Sequence, residues 1–140
     1  MPIAPLLIAA SATIAGLLGC VHLLYTFRGN KFDPRDAALS EALQRVPPVI
    51  SRETTMARAA KGFHASHSFG VMLFALVYGY LALWHFGFLL QSPFLLGLGM
   101  ALLGGYLVLA KRYWFSIPLR GIGLAFALYV TGLLAALGST

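Results

Sequence analysis

Three histidines are the residues of this sequence best suited to chemistry, because they interrupt segments with almost no other ionisable groups. His64 and His67 are three residues apart and therefore share one face of a helix. His22 lies five residues before the end of one apolar segment, and His67 lies five residues after the start of the next. In antiparallel helices, both rings would lie about 7 Å inside the apolar boundary. The spacing predicts that the three imidazoles converge in a histidine cluster.

Converging imidazoles support several kinds of site, and the sequence leaves the choice open. They can hold haem b iron or a transition metal. They can instead relay protons or bind the head of a quinone or lipid. The simplest alternative is that each ring forms hydrogen bonds across helices or reaches headgroup water. Arg120 is predicted to extend to the membrane interface, or else to meet an anionic group near His22. His85 is about 27 Å beyond His67 along a helix and is expected to lie apart from the other histidines.

The composition places these residues in a membrane protein. Hydrophobic residues make up 59% of the 140 residues and charged residues only 10%, whereas about a quarter of a soluble domain is charged. Residues 3–27 carry no charge, and neither do residues 62–110. The second run would form a helix about 73 Å long, more than twice the thickness of a bilayer, so it must fold back once. We place that break between Gly87 and Pro93.

The predicted fold class is all-α, a four-helix transmembrane bundle that forms a single integral membrane domain over residues 1–140. The transmembrane helices are predicted at about 3–27, 58–85, 93–110 and 118–137, with a cytoplasmic connection at 28–57. A short surface helix is expected near residues 36–45 of that connection, with its basic residues toward lipid headgroups. Ser51 is the predicted N-cap of a helix that runs unbroken from about Arg52 to about His85, and Pro118 is predicted to open the last helix.

The distribution of basic residues predicts the orientation in the membrane. Residues 28–61 hold seven of the ten Lys and Arg residues, and Lys111, Arg112 and Arg120 lie near the third connection. The positive-inside rule then places the first and third connections in the cytoplasm and both termini in the periplasm. Because orientation explains these charges, the net charge of +6 does not indicate nucleic-acid binding.

Small residues at four-residue spacing are predicted to pack the helices, since association in lipid depends on close approach. The main candidates are Gly16 and Cys20 in the first helix, Gly62, Ser66 and Gly70 in the second, and Gly97, Ala101 and Gly105 in the third. The predicted rows also include Ala12 in the first helix and Gly121, Ala125, Gly132 and Ala136 in the fourth. Alternatively, one row on the third or fourth helix faces a second copy of the chain or another membrane protein.

Three runs of sequence resemble a family of small bacterial inner-membrane proteins with four predicted transmembrane helices. These runs are Phe32–Asp36, Gly62–Gly70 and Lys111–Pro118. The resemblance spans most of the chain and implies a fold and a bacterial inner membrane, but it implies no activity. In that family the position of His64 is often asparagine, which would leave His22 and His67 as the histidine pair.

The sequence favours a function that is not enzymatic. It contains no HExxH motif, nucleophile elbow or P-loop, and no acidic residue within the apolar segments. We therefore expect a binding or accessory module that contacts the lipid bilayer and belongs to a homo-oligomer or a larger membrane assembly. The alternative is a membrane redox or metal protein that binds haem b or a transition metal through His22 with His67 or His64.

Overall fold

The computed structural model describes residues 3–138, and these residues form helices and connections without any strand. The helices are α1 (Ile3–Phe27), α2 (Ala37–Arg45), α3 (Met56–Trp84), α4 (Phe86–Gln91), α5 (Pro93–Tyr113) and α6 (Ser116–Leu137). By length and composition α1, α3, α5 and α6 can each cross a membrane. The predicted all-α class is confirmed, and the chain is a multi-pass membrane protein.

The chain forms two compact units, and α1 and α3 contribute residues to both. The first unit contains the described residues up to Leu18 and those from Val71 onward, and so includes α4, α5 and α6. The second unit, Gly19–Gly70, contains the end of α1, the polar connection with α2, and the start of α3.

Close contacts between small residues hold α1 against α3 and α6 in the first unit. A Cβ atom on Gly16 would lie 2.9 Å from the Cβ of Ala75, and one on Gly132 would lie 2.8 Å from Cγ1 of Ile8. The buried Ser11 hydroxyl donates a 2.6 Å hydrogen bond to the carbonyl of Ala125. Because a hydroxyl left without a partner in an apolar interior is costly, this bond stabilises the packing of α1 on α6.

Two tyrosines form the polar centre of the first unit. The rings of Tyr78 and Tyr129 meet edge to face at 5.8 Å, and both residues are buried. Their hydroxyls donate to carbonyls of α5, from Tyr78 to Leu95 at 2.6 Å and from Tyr129 to Leu96 at 3.1 Å. Gly99 provides the space, because a Cβ atom there would lie 2.6 Å from Cζ of Tyr129 and 2.7 Å from Cε1 of Tyr78. These bonds satisfy two hydroxyls that would otherwise lie unpaired among apolar side chains.

The structure places the predicted small residues of α6 and part of α1 inside the first unit. Ala12, Ala125 and Ala136 are buried, and Gly16 makes the close contact described above. The other positions of the predicted rows are exposed in the single chain: Cys20, Gly62, Ser66, Gly70, Gly97, Ala101 and Gly105. On α5 the glycine that packs against the tyrosines is Gly99, which lies on a different side of the helix from Gly97.

The start of α3 corrects the predicted capping residue. The helix runs unbroken from Met56 to Trp84, so its continuity is confirmed, but Ser51 is not its N-cap. The Ser51 hydroxyl instead accepts from the amide of Glu53 in a local turn, and the Thr55 hydroxyl accepts from the amide of Arg58. Serine forms such turns readily, and the turn here competes with an earlier helix start. The short helix predicted near residues 36–45 is present as α2, where Asp36 caps the amide of Leu39.

The break between the second and third long helices is itself partly helical. The chain turns at His85, forms the short α4, and begins α5 at Pro93, where Ser92 accepts a hydrogen bond from the amide of Leu95. At its other end α5 extends to Tyr113, three residues beyond the predicted end. Only Trp114 and Phe115 then separate α5 from α6.

The last helix begins before its proline. We predicted that Pro118 would open it, but α6 starts at Ser116. Proline fits the first turn of a helix because the amides there have no partner within the helix. The predicted start was therefore two residues too late.

Candidate functional site

The second unit brings three histidine rings into contact. Nε2 of His22 and Nδ1 of His64 are 3.2 Å apart, and the two ring centroids are 5.2 Å apart. The ring of His67 meets that of His22 edge on, with centroids 5.1 Å apart. A hydrogen bond thus joins His22 to His64, and His67, which the resemblance implied as the partner of His22, contacts the His22 ring.

An aromatic side chain from the polar connection covers this group, which we call the His–Phe cluster (His22, Phe32, His64 and His67). The ring of Phe32 lies nearly parallel to that of His64, at 4.5 Å and 9°, and 4.6 Å from that of His22. Phe32 reaches them from the turn that follows α1. A flat ring stacked on an imidazole restricts its rotation and limits its contact with water.

Local backbone chemistry positions His22, His64 and Phe32. Hydroxyls bond to the carbonyls of both paired histidines, from Thr26 to His22 at 2.8 Å and from Ser68 to His64 at 3.1 Å. The chain reverses after α1 at Gly29, whose φ of +85° lies in the left-handed region that favours glycine. A turn follows in which the amide of Asp33 donates to the carbonyl of Asn30.

Beside the cluster lies a cavity of about 180 Å³, which we call the connection cavity. Its lining comes from the end of α1, the turn with Phe32, helix α2 and the start of α3. His64 is the histidine among its lining residues. Asp33 and Lys61 are the charged residues of the lining, and Ser40 and Gln44 supply neutral polar groups. Its size and its polar lining suit a small polar molecule.

The hydrogen bond between His22 and His64 limits the protonation of the pair. One ring must donate an N–H and the other must accept with a neutral nitrogen. When His22 is the donor, Nε2 of a neutral His64 carries a proton and can donate to a ligand. When His64 is the donor, its Nε2 can accept. His64 can therefore present either a donor or an acceptor at Nε2 by a shift of tautomer.

The other candidate residues lie outside this group. His85 belongs to the first unit, where its Nε2 is 2.9 Å from the hydroxyl of Tyr80. Arg120 is exposed on α6, and Cys20 is exposed on α1. The hydroxyl of Ser66 donates to the carbonyl of Phe63 within its own helix. His85 thus has its own hydrogen-bond partner within the first unit.

The geometry does not fit haem. Two axial histidines place their nitrogens on opposite faces of a flat macrocycle, whereas the nitrogens of His22 and His64 are in direct contact and Phe32 covers both rings. The rings of His22 and His67 are also in direct edge contact, with centroids 5.1 Å apart, which leaves no space for a macrocycle between them. The 3.2 Å spacing does fit two ligands of one tetrahedral ion, for which bonds of 2.0–2.1 Å give about 3.3 Å between nitrogens. Across residues 3–138, however, no three His, Cys, Asp or Glu side chains are arranged to hold a metal ion.

Phe32 and the connection cavity were missed by reasoning from the sequence. Phe32 lies within the turn in which the Asp33 amide donates to the carbonyl of Asn30. An aromatic residue beside the turn-forming Asp33-Pro34 dipeptide is the one sequence signal for this position, since a turn can direct a side chain back over a helix end. No comparable signal marks the cavity, because α1, α2 and α3 contribute lining residues that are far apart in sequence.

Comparison with known proteins gives no relative that would assign this site. No family model, no curated protein and no solved structure matches the chain.

Proposed function

We propose that this multi-pass membrane protein is a non-enzymatic binding module whose site is the connection cavity with the His–Phe cluster. The observation that carries the proposal is the position of His64, which lines the cavity and is hydrogen-bonded to His22. A ligand that contacts His64 thereby acts on the histidine pair. Because Phe32 lines the same cavity and stacks on His64, the ligand also meets an aromatic surface.

The proposal includes an assembly with other membrane proteins or with further copies of the chain. Gly97, Ala101 and Gly105 form an exposed row on α5, and a Cβ atom on either glycine would meet open space. Close approach of another helix to such a row is favourable in lipid. This row supports an interface, either with a second copy or with a different protein.

Ligand binding is tested by thermal unfolding of the purified full-length protein in detergent, with polar molecules of the size of the cavity. A binder raises the unfolding temperature because it binds only the folded state. We expect Ala60→Trp, which fills the cavity from its lining, to abolish this rise. The matched control is Ala38→Trp on the exposed surface of α2. This variant should retain the rise in unfolding temperature. If no molecule stabilises the wild-type protein, the binding function is rejected.

We also propose that the protein lies in a bacterial inner membrane with both termini in the periplasm, as the family resemblance and the basic residues of 28–61 favour. In a Cys20→Ser background, we expect Gln91→Cys to react with an impermeant maleimide in intact cells. Ala38→Cys should react only after lysis. The opposite pattern of labelling would reverse the orientation.

Binding of a transition metal is the alternative, and the 3.2 Å spacing of the His22 and His64 nitrogens favours it. Elemental analysis after mild extraction distinguishes the two functions. About one equivalent of metal that disappears in both His22→Ala and His64→Ala would support the alternative.

A further inference from the structure

We propose that the ligand of the connection cavity is a small zwitterion, with an anionic phosphate or carboxylate and an ammonium group, either free or as the headgroup of a lipid. This inference rests on the proposed binding function. It starts from the charges of the lining, where Asp33 and Lys61 stand among neutral side chains.

These two charged side chains form no direct ion pair with each other. Among residues 3–138, the side-chain ion pair joins Arg45 to Glu41 at 3.6 Å, and Asp33 and Lys61 form none with each other. A cavity lined by separate opposite charges is complementary to a ligand that carries both signs. A simple anion would be repelled by the Asp33 carboxylate, and a simple cation would be repelled by the Lys61 ammonium group.

The neutral part of the lining distinguishes the two ends of the ligand. The tautomer in which His22 donates to His64 leaves an N–H on Nε2 of His64, so that this ring and Lys61 can both donate to anionic oxygens. Asp33 accepts from the ammonium end. Phe32, which stacks on His64, covers the short aliphatic part between the two ends.

The location of the cavity suits a lipid headgroup as well as a free molecule. Its lining includes Tyr25 and Thr26 in the last turn of α1 and Lys61 in α3. Lys61 is also the last basic residue before the uncharged run of α3. Both helices therefore pass from apolar to polar sequence beside the cavity, as they do where a helix reaches the headgroup region. Phosphoethanolamine has the required charges and is small enough for the cavity, whether free or esterified to a lipid.

The test measures binding of phosphoethanolamine to the delipidated full-length protein by calorimetry. Inorganic phosphate and ethanolamine serve as comparison ligands, because each carries charge of only one sign. We expect the zwitterion to bind at least about tenfold more tightly than either. Lys61→Met and Asp33→Asn should each weaken the binding of phosphoethanolamine by about tenfold. Arg58→Met and Glu53→Gln make the same charge changes outside the lining and should leave this binding unchanged.

The source of the ligand is tested by native mass spectrometry after gentle extraction. A phosphatidylethanolamine that stays bound to the wild-type protein and is lost in Lys61→Met identifies a lipid headgroup. Binding of phosphoethanolamine without any retained lipid identifies a free zwitterion. Equal binding of phosphate and phosphoethanolamine, or equal losses in Lys61→Met and Arg58→Met, would overturn the inference. If other molecules stabilise the protein and depend on Ala60 while phosphoethanolamine does not bind, the zwitterion is wrong and the binding function stands.

Discussion

Replacing Gly99 by leucine is expected to prevent the first unit from packing as it does in the wild type. The new Cβ atom alone would lie 2.6 Å from Cζ of Tyr129 and 2.7 Å from Cε1 of Tyr78, and both rings are buried. Neither ring can turn away without losing its hydrogen bond to α5. Overpacking of a core typically costs about 1–3 kcal/mol, and the loss of two buried hydrogen bonds adds to this. We expect a large fall in the thermal unfolding temperature in detergent.

Gly97→Leu is the matched control, because it adds the same side chain to the same helix two residues away, where a Cβ atom would meet open space. We expect its monomer to unfold near the wild-type temperature. A second variant tests the cause of the destabilisation, since Tyr129→Ala combined with Gly99→Leu removes one of the two rings that the leucine meets. Partial recovery relative to Gly99→Leu is expected. Equal destabilisation by leucine at positions 97 and 99 would contradict the packing of α5 described above.

The second large effect is expected for Gly132→Leu, which acts on the contact between α1 and α6. A Cβ atom at Gly132 would lie 2.8 Å from Cγ1 of Ile8, 3.2 Å from the carbonyl oxygen of Ala4 and 3.3 Å from the amide nitrogen of Ile8. Two of these atoms belong to the backbone of α1, so the strain cannot be relieved by a change of rotamer. The two helices must separate. We expect a destabilisation of about 3 kcal/mol.

Separation of the two helices would also break the bond from Ser11 to the carbonyl of Ala125. A double-mutant cycle detects this, because Ser11→Ala should cost less in the Gly132→Leu background than in the wild type. Gly105→Leu is the control, since a Cβ atom there would meet open space. Additive effects of the Ser11 and Gly132 substitutions would show that α1 and α6 remain in contact.

The fold was predictable where a physical requirement left a single solution. A charge-free run of about 73 Å has to turn back within a bilayer, and residues 3–27 are long enough to cross it once. Packing faces were less predictable because α5 carries glycines on more than one side. The four-residue spacing predicted that Gly97, Ala101 and Gly105 form the packing face. The rings of Tyr78 and Tyr129 instead lie against Gly99, where a larger residue would not fit. Spacing within one helix contains no information about the bulky residues on its neighbours.

The candidate site was predictable in part, for a related reason. Depth and helical phase fixed which histidines could approach one another, and the structure places His22 and His64 in hydrogen-bond contact. The role of Phe32 depends on the path of a turn after α1, and the cavity depends on where α2 lies. Both are tertiary features of a polar connection, where hydrophobic periodicity gives little guidance.

The two-residue link between α5 and α6 also bears on how the chain enters the membrane during synthesis. Trp114 and Phe115 span at most about 7 Å when extended, far less than the roughly 30 Å of a hydrocarbon core. The link cannot carry the chain back across the bilayer between the two helices. The last helix must therefore insert in the direction opposite to that of α5. The orientation of α6 in the membrane is therefore fixed by that of α5, so the two helices can insert together as one helical hairpin.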